Sequence, residues 1–370
     1  MSGSWAPRTA MAAVPRVAPM TVAGYLAGIL ARDRGVLARA ITLIESSRPD
    51  HQEMARELIH LVLPHAGQSI RIGLTGVPGV GKSALIEAFG GFLTAHGHRV
   101  AVLSIDPSSA RSGGSLLGDK TRMVRLSTDP NAFIRPSPSG RVLGGVARQT
   151  RETMLLCEAA GYDIVLIETV GVGQSEVTVA EMADFLLVLM LAGAGDELQG
   201  IKRGLLELAD LIAITKADGQ NVLAARQAAA KYAYAMHLLA DPDQGMAPVV
   251  TCSAVDGNGL EEIWTIISGR TAERQSSGYL RMRRSEQNAN WMWSLIDQQI
   301  HDMLRDRPAV SEVAHRAAAQ VRAGTLSPVM GSERIIHALF AGPVSGPSEA
   351  DKEPQIEASS QPATPSRRAS

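Results

Sequence analysis

One eight-residue stretch constrains the fold more than any other feature of the sequence. It reads Gly-Val-Pro-Gly-Val-Gly-Lys-Ser over residues 76–83 and fits the pattern G-x-x-x-x-G-K-[ST] at every fixed position. Its glycines let backbone N–H groups point at phosphate oxygens, its lysine reaches the β- and γ-phosphates, and its serine can ligate Mg²⁺. It lies between a predicted strand and a predicted helix, Ala84 to Ala95, whose positive end faces the phosphates. The residues predicted to bind nucleotide here are Gly76, Val77, Pro78, Gly79, Val80, Gly81, Lys82, Ser83 and Ala84.

Short, continuous apolar runs recur along the chain, with helical stretches between most of them. Strands that are buried on both faces of a parallel sheet have this character, because helices cover each face. The alternation predicts an α/β fold of the P-loop NTPase class, with a doubly wound, mostly parallel sheet. The predicted strands are Ile70–Thr75, Arg99–Ile105, Asp163–Glu168, Phe185–Leu191, Asp210–Thr215 and Pro248–Cys252.

The chain has 370 residues, which is more than one such domain requires. Residues 67–272 are predicted as the P-loop domain, residues 21–66 as an N-terminal helical element, and residues 273–340 as a C-terminal helical arm. Residues 1–20 are predicted to be flexible. Residues 341–370 are rich in Pro, Ser and Ala with almost no large apolar side chain, which predicts a disordered tail.

The charge balance and the apolar segments limit the partners. Lys and Arg number 36 against 37 Asp and Glu, a net charge of −1, which argues against a polycation that binds nucleic acid. Cys157 and Cys252 are too few for a disulfide scaffold. No stretch reaches the roughly 18 apolar residues of a membrane-spanning helix. The apolar segment from Met20 to Ala31 continues at helical spacing, which favours a cytoplasmic amphipathic helix and leaves a transit peptide as the alternative.

Carboxylates follow two of the predicted strands, and a third lies in a glycine-rich loop. Glu168 ends a buried strand and begins Glu-Thr-Val-Gly, which has the spacing of a metal-organising acid followed by a glycine, Gly171, whose N–H meets the γ-phosphate. Asp106 ends the second strand, and Asp119 lies in the loop. Mg²⁺ takes one or two carboxylates besides phosphates and waters, so the three acids cannot all be direct ligands. A solvated strand end is the alternative for Glu168.

The sequence Thr-Lys-Ala-Asp over residues 215–218 follows the fifth predicted strand and matches [NT]-K-x-D. The Asp218 carboxylate would accept hydrogen bonds from N1–H and the N2 amine of guanine, a donor pair that adenine lacks. Lys216 would pack its stem along the base. Ser253, Ala254 and Val255 follow the last strand, where backbone N–H groups can meet guanine O6. Together, these motifs favour GTP over ATP.

Several long stretches resemble one family, the methylmalonyl-CoA mutase-associated GTPases of the MeaB type, historically called ArgK or LAO/AO transport kinases. The resemblance runs from about Leu26 to Ser268. It implies a GTPase that acts as a chaperone for an adenosylcobalamin-dependent acyl-CoA mutase and that gates cofactor loading and protects the mutase. Adenosylcobalamin would belong to the partner, whereas GTP or GDP and Mg²⁺ would bind this chain. The stretches that carry the resemblance are residues 73–83, 106–109, 113–123, 144–145, 168–176, 195–202 and 216–218.

The resemblance also assigns roles to individual residues. Lys82, Asp106, Asp119 and Glu168 correspond to the catalytic set, and Ser83 with the three acids corresponds to the magnesium site. The resemblance implies homodimerisation through the C-terminal arm, which favours a dimer interface for Trp291 and Trp293 over the alternative that they and Trp264 cap the core. Thr215 stands where the family usually has Asn, which would weaken hydrogen bonding between loops. The switch residues are Gln174, a candidate for positioning water, and Asp196, Glu197, Gln199 and Lys202.

Other functions stay open at this point. An ATP-dependent kinase is the first alternative, and Asp218 argues against it. A metallochaperone GTPase of the HypB or UreG kind is the second, although the nine histidines and two cysteines form no delivery cluster in the sequence. A scaffold with an inactive nucleotide site is the third. Methylmalonyl-CoA mutase is the favoured client, but isobutyryl- or ethylmalonyl-CoA mutase fits the sequence equally.

Overall fold

The protein is an α/β fold built on a parallel sheet. The structure is a computed structural model that describes residues 20–105, 123–136, 143–169, 175–193, 203–239 and 246–340. Within these ranges, seven strands form one sheet in the order β3-β2-β4-β1-β5-β6-β7, and every pair of neighbours is parallel. The strands are β1 Ile70–Gly76, β2 Val100–Ile105, β3 Ala132–Arg135, β4 Ile164–Thr169, β5 Phe185–Leu191, β6 Leu211–Thr215 and β7 Val249–Thr251.

The helices lie between the strands and at both ends of the described chain. Within the described ranges, short 3₁₀ turns also occur at Leu63–His65 and Gly219–Asn221. The helices are α1 Val22–Leu30, α2 Arg34–Glu45, α3 Pro49–Val62, α4 Lys82–Ala95, α5 Val124–Thr128, α6 Leu143–Ala159, α7 Ser175–Ala180, α8 Arg203–Glu207, α9 Val222–Leu239, α10 Leu260–Ser276, α11 Tyr279–Asp306, α12 Pro308–Arg322 and α13 Pro328–Phe340.

The predicted fold class is confirmed, with two differences in the strands. Five of the six predicted strands differ from the observed ones by a residue at one or both ends, and the sixth, Phe185–Leu191, agrees. The edge strand β3 is absent from the predictions because its four residues, Ala-Phe-Ile-Arg, are too few to show a pattern.

Two apolar layers cover the faces of the sheet, because successive side chains of each strand point to opposite faces. On β4, Val165 and Ile167 join the layer formed with α1, α2, α3 and α6. Ile164 and Leu166 join the opposite layer, which contains the buried side chains of α4 and α10. The N-terminal helices are therefore part of the main core.

Local signals explain where the first helices begin. The Asp33 carboxylate accepts hydrogen bonds from the N–H groups of Gly35 and Val36, which caps α2. Helix α3 begins at Pro49, whose fixed φ suits a first helical position.

The described part of the chain divides into two compact units, with the boundary between Ser294 and Leu295. This boundary lies within α11, whereas the predicted arm begins at residue 273, within α10; the predicted domain bounds stay a prediction. In the second unit, α12 and α13 pack together, and Val310, Ala317 and Leu339 are buried. None of the helices within the described ranges is long and apolar enough to span a bilayer.

Two of the three clustered tryptophans pack on the α/β unit. Trp264 packs against the apolar layer on the α4 side of the sheet, and its ring meets that of His98 edge-on. Trp291 packs against the other layer, and the Arg151 guanidinium lies 5.7 Å from its ring centroid. Trp293 is 61% exposed. The core-capping alternative therefore describes Trp264 and Trp291, and of these three tryptophans Trp293 alone is mostly exposed.

Candidate nucleotide site

The phosphate-binding loop joins the end of β1 to the start of α4, as its motif requires. Gly76 passes so close to β5 that a Cβ on it would lie 2.5 Å from the Leu189 carbonyl oxygen. Gly81 caps α4 at φ 98°, a left-handed conformation that favours glycine. These two glycines explain why the chain can turn here between a buried strand and a helix N-terminus.

Lys82 is the first residue of α4, and its side chain folds back across the loop. Its Nζ lies 2.7 Å from the Gly76 carbonyl oxygen and 3.4 Å from that of Val77. The ammonium group is therefore held over the loop where phosphates are expected. Val80 is fully buried in the apolar layer and its N–H donates to the Val77 carbonyl oxygen at 3.2 Å, whereas Pro78, Gly79 and Ala84 are exposed.

The loop that carries the base motif is hydrogen-bonded to the phosphate-binding loop at two points. The Thr215 hydroxyl lies 2.7 Å from the Val80 carbonyl oxygen and 3.2 Å from that of Met190. Lys216, at φ 57°, donates from Nζ to the Gly79 carbonyl oxygen at 2.9 Å. Thr215 therefore does make a hydrogen bond between the two loops, although it stands where the family usually has Asn.

Asp218 is oriented by a buried serine. The Ser253 hydroxyl, with no exposed surface, donates to Asp218 Oδ2 at 2.7 Å and accepts from the N–H groups of Val255 and Asp256 at 3.1 Å. Because two backbone donors occupy its oxygen, the hydroxyl proton is directed at the carboxylate. The Ala254 N–H has no acceptor within the described part of the chain, and its contact with guanine O6 stays a prediction. The Val255 side chain is 82% exposed.

Glu168 lies near the carboxyl end of β4, next to the strand that leads into the phosphate-binding loop. Glu168 pairs in register with Leu74 of β1 and Ser104 of β2, and only 4% of its surface is exposed. The Ser104 hydroxyl donates to Glu168 Oε1 at 2.8 Å. A solvated strand end is therefore excluded for Glu168.

A Mg²⁺ ion fits the oxygen donors that the structure describes here, since Ser83 and Glu168 supply a hydroxyl and a carboxylate. Glu168 shares its face of the sheet with Ile164 and Leu166, which is the face that α4 covers. Ser83 lies in the first turn of that helix. Among the described residues, no three His, Cys, Asp or Glu side chains gather to bind a metal by themselves.

The remaining predicted site residues lie outside the described ranges, so their roles stay predictions. The contact between Ser104 and Glu168 is not among the features predicted from the sequence. Its signal was a hydroxyl in an otherwise apolar strand, Val-Ala-Val-Leu-Ser-Ile, directly before Asp106. The residues outside the described ranges are Asp106, Asp119, Gly171, Gln174, Asp196, Glu197, Gln199 and Lys202.

A family comparison identifies the protein class. The family model described as methylmalonyl-CoA mutase-associated GTPase MeaB matches residues 37–309. The chain belongs to this family. It is a GTPase.

Individual members of the family show how much of the chain is shared. A probable GTPase of Mycobacterium tuberculosis is 50% identical over 318 residues, which cover 85% of this chain and 94% of that protein. A mitochondrial methylmalonic aciduria type A homolog from Mus musculus is 45% identical over 323 residues, 84% of this chain and 78% of that one. A crystal structure of a LAO/AO transport system kinase matches with a TM-score of 0.68 and 37% identity, over 85% of this chain and 96% of that one.

Proposed function

We propose that this MeaB-family GTPase is a chaperone for an adenosylcobalamin-dependent acyl-CoA mutase, with methylmalonyl-CoA mutase as the favoured client. It would gate loading of adenosylcobalamin into the mutase and protect or reactivate that enzyme. The family match over residues 37–309 carries this proposal, since the family is described by its association with the mutase. The similarity to the mouse methylmalonic aciduria type A homolog supports it.

GTP hydrolysis would serve as a slow timer. The N–H groups of the phosphate-binding loop and the Lys82 ammonium would stabilise negative charge on the phosphates. Ser83 and Glu168, with Asp106 or Asp119, would hold Mg²⁺, which would neutralise charge on the phosphate oxygens. Weak turnover alone and faster turnover with the mutase are the expected behaviour. Rapid hydrolysis by the purified protein that the mutase does not change would contradict the timer.

The geometry around Asp218 favours guanine over adenine, although one similar structure carries the name of a kinase. Ser253 fixes the Asp218 carboxylate, and an acceptor fixed in this way is left unpaired by adenine. Competition between GTP, ATP and a fluorescent guanine nucleotide would measure this preference. Tighter binding of ATP would overturn the proposal.

The partner is tested with purified mutases. The chain is mixed with methylmalonyl-, isobutyryl- or ethylmalonyl-CoA mutase in the presence of GDP or a non-hydrolysable GTP analogue, and complex formation is measured by size-exclusion chromatography. We expect one mutase to bind, with an affinity that depends on the nucleotide. The Lys82→Ala variant serves as the control for an inactive scaffold: unchanged protection of the mutase by this variant would favour the scaffold over the GTPase timer.

Homodimerisation is proposed through the exposed apolar side chains of α11. Trp293, Ile296, Ile300 and Met303 recur at helical spacing and are 61%, 37%, 36% and 43% exposed. Light scattering of the full chain measures its mass, and Ile300→Asp should shift a dimer towards the monomer. A monomeric full chain at micromolar concentration would contradict this proposal.

A further inference from the structure

The hydroxyl of Ser104 is buried inside an otherwise apolar strand. All six residues of β2 are buried, and Ser104 is 3% exposed. A hydroxyl removed from water costs free energy unless it finds a hydrogen-bond partner. The Ser104 hydroxyl therefore needs a hydrogen-bond partner inside the fold.

That partner is the Glu168 carboxylate. Ser104 and Glu168 are register partners on adjacent parallel strands, so their side chains leave the same face of the sheet side by side. The Ser104 oxygen lies 2.8 Å from Glu168 Oε1, and the hydroxyl donates because an ionised carboxylate only accepts. The contact is formed by two strands and is fixed by the sheet.

We propose that Ser104 is a positioning residue of the nucleotide site, which orients the Glu168 carboxylate for its role at the magnesium ion. This inference rests on the proposed function, in which Glu168 belongs to the metal site. A neutral donor that holds one carboxylate oxygen fixes the side-chain rotamer without adding a charge of its own. Ser104 thereby sets the geometry of an acid from a neighbouring strand.

The chain supplies a matched control at the opposite end of the sheet. The Ser69 hydroxyl, on a residue that is 4% exposed, also donates to a buried glutamate, Glu158. Ser69→Ala and Ser104→Ala therefore remove the same chemical group from the same kind of contact. Only Ser104→Ala removes it from an acid of the proposed metal site.

The experiment measures the affinity of a fluorescent guanine nucleotide with Mg²⁺ and with a chelator, for the full chain and both variants. Thermal unfolding in the chelator establishes that each variant is folded. We expect Ser104→Ala to reduce the gain in affinity from Mg²⁺ by about tenfold, the usual effect of removing a partner of a metal ligand. Affinity in the chelator should change by less than about twofold, and Ser69→Ala should keep the full gain.

The Glu168→Gln variant tests whether Ser104 acts through the carboxylate. Adding Ser104→Ala to Glu168→Gln should cause no further loss of the Mg²⁺ effect, because the acid on which the hydroxyl acts is already gone. The inference would be overturned if Ser104→Ala reduced the Mg²⁺ effect as much in the Glu168→Gln background as in the unmodified chain. It would also be overturned if Ser104→Ala kept the full gain in affinity from Mg²⁺, or if Ser69→Ala reduced that gain as much as Ser104→Ala does. If the unmodified protein bound no guanine nucleotide, the proposed function itself would fail, and the inference with it.

Discussion

The two ends of the parallel sheet hold their buried and half-buried acids in different ways. At the amino-terminal end, each acid forms an ion pair with an arginine: Arg71 with Glu158, Arg284 with Asp184, and Arg274 with Asp210. At the carboxyl end, Glu168 and Asp218 accept hydrogen bonds from Ser104 and Ser253. An arginine pairs its acid with a positive charge, whereas a serine hydroxyl orients a carboxylate without adding charge. One end thus carries stabilising ion pairs, and the other is the end at which we propose that the nucleotide binds.

The arginines of the stabilising end come from distant parts of the chain. Arg274 lies on α10 and Arg284 on α11, while the acids precede strands β5 and β6. Arg284 also donates to the carbonyl oxygens of Gly67 and Ser69, just before β1. These contacts attach the C-terminal helices of the first unit to the amino-terminal end of the sheet, opposite the proposed nucleotide site.

The largest effect is expected from Arg284→Ala. It leaves the Asp184 carboxylate, whose side chain is 1% exposed, buried without its cation. Breaking a buried pair from one side typically costs about 3–5 kcal/mol of unfolding free energy, measured here by urea unfolding. Arg316→Ala is the control, because the Arg316–Glu312 pair is exposed and such pairs contribute at most about 1 kcal/mol. Equal effects of the two variants would show that the amino-terminal end does not carry the stability assigned to it.

The ion pairs at the amino-terminal end of the sheet should also make the free energy of unfolding depend on pH. Burial raises the pKa of Glu158, but hydrogen bonds and charge from Arg71, with donors from Ser69 and Gly67, outweigh it and lower the pKa below its ordinary value of 4.5. The unfolded chain then takes up the proton first, so this stabilisation is complete above about pH 4.5 and is lost as pH falls from there through the lower folded pKa.

Glu158→Gln isolates this contribution. At pH 7 it should cost about 3 kcal/mol of unfolding free energy, because Arg71 stays buried without a negative partner. The difference from the unmodified protein should shrink as the pH falls below 4.5, where the native carboxylate loses its advantage. Urea unfolding at several pH values measures both. A difference that stays constant down to acid unfolding would contradict the assigned pKa direction.

The two ends of the sheet also differ in how far the sequence alone predicts them. The binding end was largely predictable, since the phosphate loop, Glu168 and Asp218 belong to local motifs placed after apolar runs. The ion pairs of the other end were not, because Arg71 and Glu158 are separated by 87 residues and Arg284 and Asp184 by 100. Ser104 was missed for a related reason: its contact depends on the register between β2 and β4, which no local pattern specifies.

At the binding end, Asp218→Ala should change affinity far more than stability. It removes the acceptor that we propose for both guanine donors, so we expect GTP to bind about 100-fold more weakly, which corresponds to about 2.7 kcal/mol. The residue is only half-buried, but the buried Ser253 hydroxyl loses its acceptor, so the free energy of unfolding should fall by about 1 kcal/mol, well below the effect of Arg284→Ala. Nucleotide titration and urea unfolding separate the two effects. A loss of stability comparable to that of Arg284→Ala would remove the distinction between the two ends.

The smallest effect is expected from Ser253→Ala, which keeps the Asp218 carboxylate and removes only the hydroxyl that orients it. A donor to a charged group contributes about 1.5 kcal/mol, so GTP affinity should fall about tenfold. In the Asp218→Ala background the same change should have less effect on affinity, because no carboxylate remains to be oriented. The Val255 and Asp256 N–H groups also lose their acceptor, which adds a stability cost independent of Asp218. If both backgrounds lose the same affinity, Ser253 serves the loop after β7 and does not orient the acid that reads the base.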